Sequence, residues 1–389
     1  MTAEVRELSK PSGGTGGSMR GRLSDFSGRH RSISVMVGMT IAAGLLPIII
    51  LLPPFSGFSN QNVWVDGFTI AGIYILLALG LNMVVGMAGL LDLGYAAFYA
   101  IGSYTFAFAA SPFTGFNFPF WPMLLVGAVV AAVFGILLGA PTLRLRGDYL
   151  AIVTLGFGEI VPIVILNSSK YTDGPNGIGG INPPTLGDFV FPTTGNPWPF
   201  YITMAVLITV SMILIYRLQD SRLGRAWNAI REDELAAAAN GINTVVTKLL
   251  AFALGASTAG LAGAFASSKL TLVSPNLFRF DVSFTVLAMV VLGGMGNIWG
   301  VAAGAFIVFM IQNVMLKQLN ILFDNFQVPF LSSINFLDYQ YLLYGVALVG
   351  MMLLRPEGLF PSRRRKRELH TEEDADFGEM GDPMGATPE

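Results

Sequence analysis

Four long stretches of this 389-residue sequence contain no Asp, Glu, Lys or Arg: residues 93–143, 189–216, 249–268 and 282–316. A bilayer span needs roughly 20 consecutive apolar residues. A helix on the surface of a soluble core would instead show charges on one face at helical spacing. These stretches show none, so lipid or other spans must surround them. Charged residues make up only 12% of the chain, about half the share of a soluble domain. The expected fold is all-α: a polytopic membrane helix bundle of about 8–10 transmembrane helices, some broken or re-entrant.

Ten apolar segments can be marked, near 33–52, 68–88, 91–110, 120–140, 150–168, 200–216, 247–268, 283–295, 299–316 and 339–354. Gly-rich turns join 68–88 to 91–110 and 283–295 to 299–316. Residues 1–32 are polar, with a Ser/Gly run from Ser12 to Ser18, and cannot bury a core; they read as a disordered basic tail. Residues 363–389 open on Arg363, Arg364, Arg365, Lys366 and Arg367, turn acidic, and read as a second charged tail. The transmembrane body is therefore expected over 33–362, with a polar loop at about 217–246. Lys and Arg in short loops set orientation. They gather in the N-terminal tail, at Arg144 and Arg146, at Arg217, Arg222, Arg225 and Arg231, and after Arg355, whereas loops 53–67 and 111–119 have none. Ten crossings place every basic loop on one side, with both termini in the cytoplasm.

The chain has no cysteine, so no disulfide or thiolate metal site exists. Its two histidines, His30 and His370, lie in the tails. No lysine is followed by Ser or Thr, so the phosphate-loop pattern G-x-x-x-x-G-K-[ST] is missing. The chain reads as a transport subunit and not an enzyme. No cofactor, metal or nucleic acid is expected, and the lipid bilayer is its medium. If it pumps, the energy comes from a gradient or from another subunit.

Five segments carry more specific information. In the first, from Leu81 to Tyr104, Gly86 and Gly89 interrupt an apolar run and Asp92 follows. A mid-helix carboxylate costs roughly 2.5–3.5 kcal/mol on insertion scales, and broken helices survive at membrane depth only when buried or lining a cavity. One reading is a translocation path beside the break, with Asn82, Gly86, Gly89, Asp92, Tyr95 and Tyr99 along it. The other puts Asp92 at a surface turn, capping the next helix. Second, Val290 to Phe306 repeats the same grammar around Gly293, Gly294 and Gly296; paired glycine breaks in two halves point to a midplane site in repeat-built transporters. Third, Glu159 sits among apolar residues, three positions before Pro162. It reads either as a structural carboxylate or as a pathway residue.

Fourth, Lys170 to Ile181 holds Asp173, Gly174, Asn176 and Gly177, a turn-rich loop expected on the external side as a gate or docking surface. The fifth runs from Ser221 to Phe252. Glu232, Asp233 and Glu234 lead a run of alanines, which suits a helix whose acidic end complements its dipole. Asn240-Gly241 supplies a left-handed stop. A short helix with charge at one end and a smooth alanine side suits docking into another protein. An ordinary solvated connector would fit the same spacing.

This fifth segment resembles the cytoplasmic EAA-x3-G loop of bacterial ABC importer permeases, in its R-E-D-E-x-A-A…G-I-N form. The runs GLLDLGYAAFYAIGSY, LRGDYLAIVTLGFGEI, TDGPNGI and RPEGLF are likewise similar to the M-type subunit of branched-chain amino-acid importers, in the right order over about 65–360. One departure stands out: the position that is often Arg after the GEIV run is Pro162 here. The resemblance implies a bacterial inner-membrane permease for branched-chain, neutral aliphatic amino acids. It implies a second permease, a paralogue of this chain, two cytoplasmic ATPase subunits and an extracytoplasmic binding protein. Arg225, Arg231, Glu232, Asp233, Glu234, Ala236, Ala237 and Gly241 would form the ATPase-coupling element. Two alternatives stay open: a gradient-driven secondary transporter using Asp92 or Glu159, and an ABC permease for urea or amides.

Overall fold

The computed structural model describes residues 61–142, 145, 147–193, 195–315, 339–355 and 358–360, together with Gly38. Apart from Gly38, the predicted first span at 33–52 lies outside them, as do both tails.

The architecture follows from which apolar helices can come close to one another. Water supplies no drive between helices in lipid, so small residues decide which ones pack. Helix α1 (Gln61–Leu81) continues as a π-helical turn over Asn82–Met87. Residues 88–94 then turn back into α2 (Tyr95–Ala110), followed by α3 (Phe120–Thr142) and α4 (Asp148–Asn167). A short α5 (Ser169–Thr172) opens the long loop before α6 (Trp198–Gln219). Then come α7 (Arg222–Glu232), α8 (Glu234–Ala239) and α9 (Thr244–Leu270). A 3-10 turn, Pro275–Phe278, leads to α10 (Phe280–Gly293), α11 (Ile298–Met310) with a π-helical end at Ile311–Met315, and α12 (Gln340–Leu354). Nine of the ten predicted apolar segments are thus helices, and the tenth is 33–52. Among the described residues, six helical stretches are long and apolar enough to cross a membrane.

Helix α9 is the axis of the bundle. Its run of Gly255, Ala256, Ala259, Gly260, Ala262, Gly263 and Ala264 is buried. It meets α1, α2 and α3 at backbone distance: a Cβ on Gly260 would stand 2.5 Å from the Gly127 carbonyl oxygen, and one on Gly102 would stand 2.3 Å from that of Gly260. Hydroxyls close the same seams, as where Ser267 Oγ donates to the Ser103 carbonyl at 3.0 Å. At one end of the bundle Lys269 pairs with Asp66 at 2.5 Å. The opposite end carries α7 and α8.

Among the described residues, four two-residue strands make two small antiparallel ribbons. β1 (Ile178–Gly179) pairs with β4 (Leu272–Val273), Ile178 opposite Val273; β2 (Thr185–Leu186) pairs with β3 (Phe189–Val190). The first ribbon ties the loop after α5 to the linker between α9 and α10.

Candidate coupling junction

Helix α7 is built by a cap and an anchor. Ser221 Oγ accepts from the amides of Leu223 and Gly224, which satisfies two of the donors a helix start leaves free. Trp227 is fully buried, and its indole Nε1 donates to the Thr247 carbonyl at 2.7 Å. This fixes α7 to the start of α9. The sequence reading passed over Trp227, although one large aromatic in a polar helix was the signal that an anchor existed.

Residue 233 breaks the predicted acidic helix in two. Asp233 is extended (φ −153°) and its carboxylate accepts from the amides of Leu235 and Ala236, so it caps α8. Glu234 bonds the buried Lys248 at 2.5 Å. Arg225 donates to the Asp220 carbonyl at 2.9 Å. These three side chains therefore spend their charge within the subunit. Helix α8 ends as its sequence predicts: Gly241 is left-handed (φ +83°), Gly241 N donates to Ala238 O, and Ile242 N to Ala237 O. That pair of bonds is the Schellman arrangement. Ala237, expected on the smooth outer side, is instead buried at 3% exposure and seats the helix. Leu235 is 68% exposed, and Ala236, Ala238 and Ala239 are exposed beside it. Val245 and Val246, just beyond in α9, are also exposed. Glu232 is exposed too.

Arg231, in the last turn of α7, reaches the break in α1. Its guanidinium donates to the Gly86 carbonyl at 2.6 Å. Its side chain lies over Gly89 (φ +71°), where a Cβ would come within 2.8 Å of the arginine Cγ. The second glycine break arrives at the same place. The Gly296 amide donates to Asn82 Oδ1 at 2.8 Å, and a Cβ on Gly86 would sit 2.6 Å from that amide. Gly294 and Gly296 both have positive φ, +109° and +82°. Residues Gly358–Phe360 fold over this turn, with Leu359 N donating to Leu292 O and Asn297 Nδ2 donating to Phe360 O, each at 2.9 Å. So the Gly-Leu-Phe end of the RPEGLF run has a packing role that its sequence did not announce. Gly293 serves the crossing of α10 with α11, since a Cβ there would meet the Gly300 carbonyl at 2.5 Å.

Asn82, Gly86, Gly89, Gly296 and Arg231, sorted by sequence into path and coupling groups, thus form one junction. Other path candidates stand apart from it. Asp92 is buried at 2% exposure; Oδ1 accepts from Gly94 N at 2.9 Å, while Oδ2 has no partner among the described residues. The Tyr95 hydroxyl donates to the Gly255 carbonyl at 2.8 Å, and the Tyr99 ring packs edge-on against Phe278, centroids 5.0 Å apart. Glu159 points outward from α4. In the loop expected as a gate, Asp173 and Gly174 form a tight left-handed turn, with φ +55° and +53°. The Asn176 amide donates to Asp173 O, and Gly177 presses on the backbone of Val273 and Ser274. The turn is held down by the β1–β4 ribbon.

Residues 63–352 match the family model described as branched-chain amino acid transport system / permease component. The chain is 39% identical over 368 residues to the high-affinity branched-chain amino acid transport system permease protein LivM of Escherichia coli K12, covering 89% of this chain and 82% of the relative. It is 42% identical over 325 residues to the LivM protein of Salmonella typhimurium LT2, covering 78% and 72%. It also matches the permease protein LivH of E. coli K12, 27% identical over 255 residues, 62% of this chain and 81% of that one. No solved structure matches the chain.

Proposed function

Because the chain belongs to the family of branched-chain amino acid transport system permease components, we propose that it is one of the two membrane subunits of an ABC importer for branched-chain, neutral aliphatic amino acids. A second permease, a LivH-like paralogue, completes the path. Two separate ATPase subunits drive it, and an extracytoplasmic binding protein feeds it. The end that carries α7 and α8 faces the cytoplasm, as the positions of Arg217, Arg222, Arg225, Arg231 and Arg355 recommend. The loop over Asp173–Gly177 then faces the binding protein. Comparison with permeases of this kind gives no support to a gradient-driven carrier.

The observation that carries the reading is the bond from Arg231 to the Gly86 carbonyl. The exposed patch of Leu235, Ala236, Ala238 and Ala239 receives the ATPase. Helix α8 is rigid against the bundle through Ala237 and the Glu234–Lys248 pair. Displacing α8 and α7 together moves Arg231, and Arg231 holds both glycine breaks. ATP binding shifts the inward–outward equilibrium only by stabilising one state more than the other; the junction is where that difference enters the membrane. The π-helical turn supplies a weak point, since such turns mark functional sites in helices.

Reconstituted complexes in proteoliposomes, with a protonophore present, test the proposal. Leucine uptake is expected to persist, to require the binding protein, and to stop when internal ATP is omitted. Uptake that collapses with the protonophore and ignores ATP would refute it.

A further inference from the structure

We propose that the outward face of α4 is the seat of the second permease subunit; the inference rests on the permease reading above and assigns that subunit its place. Among the described residues, helix α4 is held from one side only. Thr154 Oγ1 accepts from Leu93 N at 3.1 Å, Gly158 abuts Gly94, and the Phe157 ring packs on Phe98 with centroids 5.7 Å apart. The other side shows Ile152, Glu159, Ile160 and Ile163, all exposed. Only 28% of the most apolar stretch of α4 is buried.

Exposed apolar side chains on a span ordinarily face lipid, and α3 and α6 fit that rule. Neither carries a charged residue within its outward surface, apart from Arg217 in the last turn of α6. Helix α4 breaks it. Glu159 lies about 17 Å along a helix about 30 Å long, and it has no hydrogen-bond or ionic partner among the described residues. Among the described helices no other Asp, Glu, Lys or Arg is more than two turns from both helix ends. An ionisable side chain at that depth faces protein or a water-filled cavity, not hydrocarbon. Gly156, on the same stripe, has open space where a Cβ would stand, and a glycine there allows a second backbone to come close. Two different permeases, LivM and LivH, occur in the same strain of E. coli, and this chain matches both. A second subunit of this family is therefore the occupant that the face requires.

The chain has no cysteine, which makes the test direct. Ile160→Cys, Val129→Cys (α3) and Val206→Cys (α6) are each labelled with bimane in the complete complex, reconstituted into bilayers containing lipids brominated on their acyl chains. The α4 label is expected to be quenched several-fold less than the other two. A benzophenone placed through Ile163→Cys is expected to yield an adduct with the mass of this chain plus the second permease. Equal quenching at all three positions, or adducts only with lipid or within the chain, in a complex that still shows ATP-dependent uptake, would overturn the inference and leave the permease reading standing. A complex without ATP-dependent uptake removes the premise, and the inference falls with it.

Discussion

Helices α9 and α4 are both apolar enough to cross a membrane, yet they hold opposite places in the bundle. In the most apolar stretch of α9, 67% of residues are buried; in α4 the share is 28%. Hydropathy does not separate them, but side-chain size does. Helix α9 presents glycine and alanine to three neighbours and lets their backbones touch it. Helix α4 touches its neighbours through Thr154, Phe157 and Gly158 and turns isoleucines outward. In lipid the small helix becomes the axis and the bulky one the wall. The wall also carries a mid-span carboxylate, while the charged residues of α9, Lys248 and Lys269, lie in its end turns and are paired with Glu234 and Asp66.

The strongest challenge to this contrast is a pair of matched substitutions. Gly260→Leu forces a side chain against the Gly127 carbonyl, which cannot move aside. Overpacking of this kind costs about 1–3 kcal/mol or more, and little folded protein is expected by size-exclusion chromatography. Gly156→Leu enters open space. It should leave the monomer's thermal stability unchanged and weaken only its recovery with the second subunit. Equal loss of fold in both would erase the distinction.

Next in size is the socket that α9 offers to α7. Trp227→Ala empties a fully buried site and removes the bond to Thr247 O, at a cost of about 3–5 kcal/mol felt mainly at the coupling end. Limited proteolysis should then cut first between 217 and 246. A smaller effect divides α8. Ala237→Trp unseats the helix, because its side chain is buried, and should raise proteolysis of the segment. Leu235→Glu should leave that pattern intact yet lower the recovery of ATPase subunits in a pull-down. Smallest is Gly241→Ala, where a left-handed backbone (φ +83°) opposes a Cβ; the expected loss is about 1 kcal/mol, visible as a modest fall in melting temperature.

How much of this could be read beforehand depended on the length over which a signal acts. Helix positions were legible because charge is excluded over whole spans. The α8 stop was legible because Asn240-Gly241 acts within one turn. Asp233, one residue that starts a new helix, was hidden because acidic residues suit both a cap and a first turn. The inward face of Ala237 was hidden because six residues give too short a stripe to show a side. The meeting of Asn82, Gly86, Gly89, Gly296 and Arg231 spans more than 200 residues of sequence; glycine clusters announce a close approach but not its partner. Glu159 was legible as unusual, and its outward direction came only from seeing which side Thr154 and Gly158 give to the turn before α2.

The account stands on Arg231 as the link between the coupling segment and the breaks in the bundle. Its most direct test is the number of leucine molecules imported per ATP hydrolysed, compared between the native complex and Arg231→Ala. The substitution removes the bond to Gly86 but leaves Trp227, the Glu234–Lys248 pair and the Leu235 surface in place. Hydrolysis is predicted to continue while uptake per ATP falls at least tenfold, with partial recovery in Arg231→Lys. An Arg231→Ala complex that imports leucine at the native ratio would contradict it.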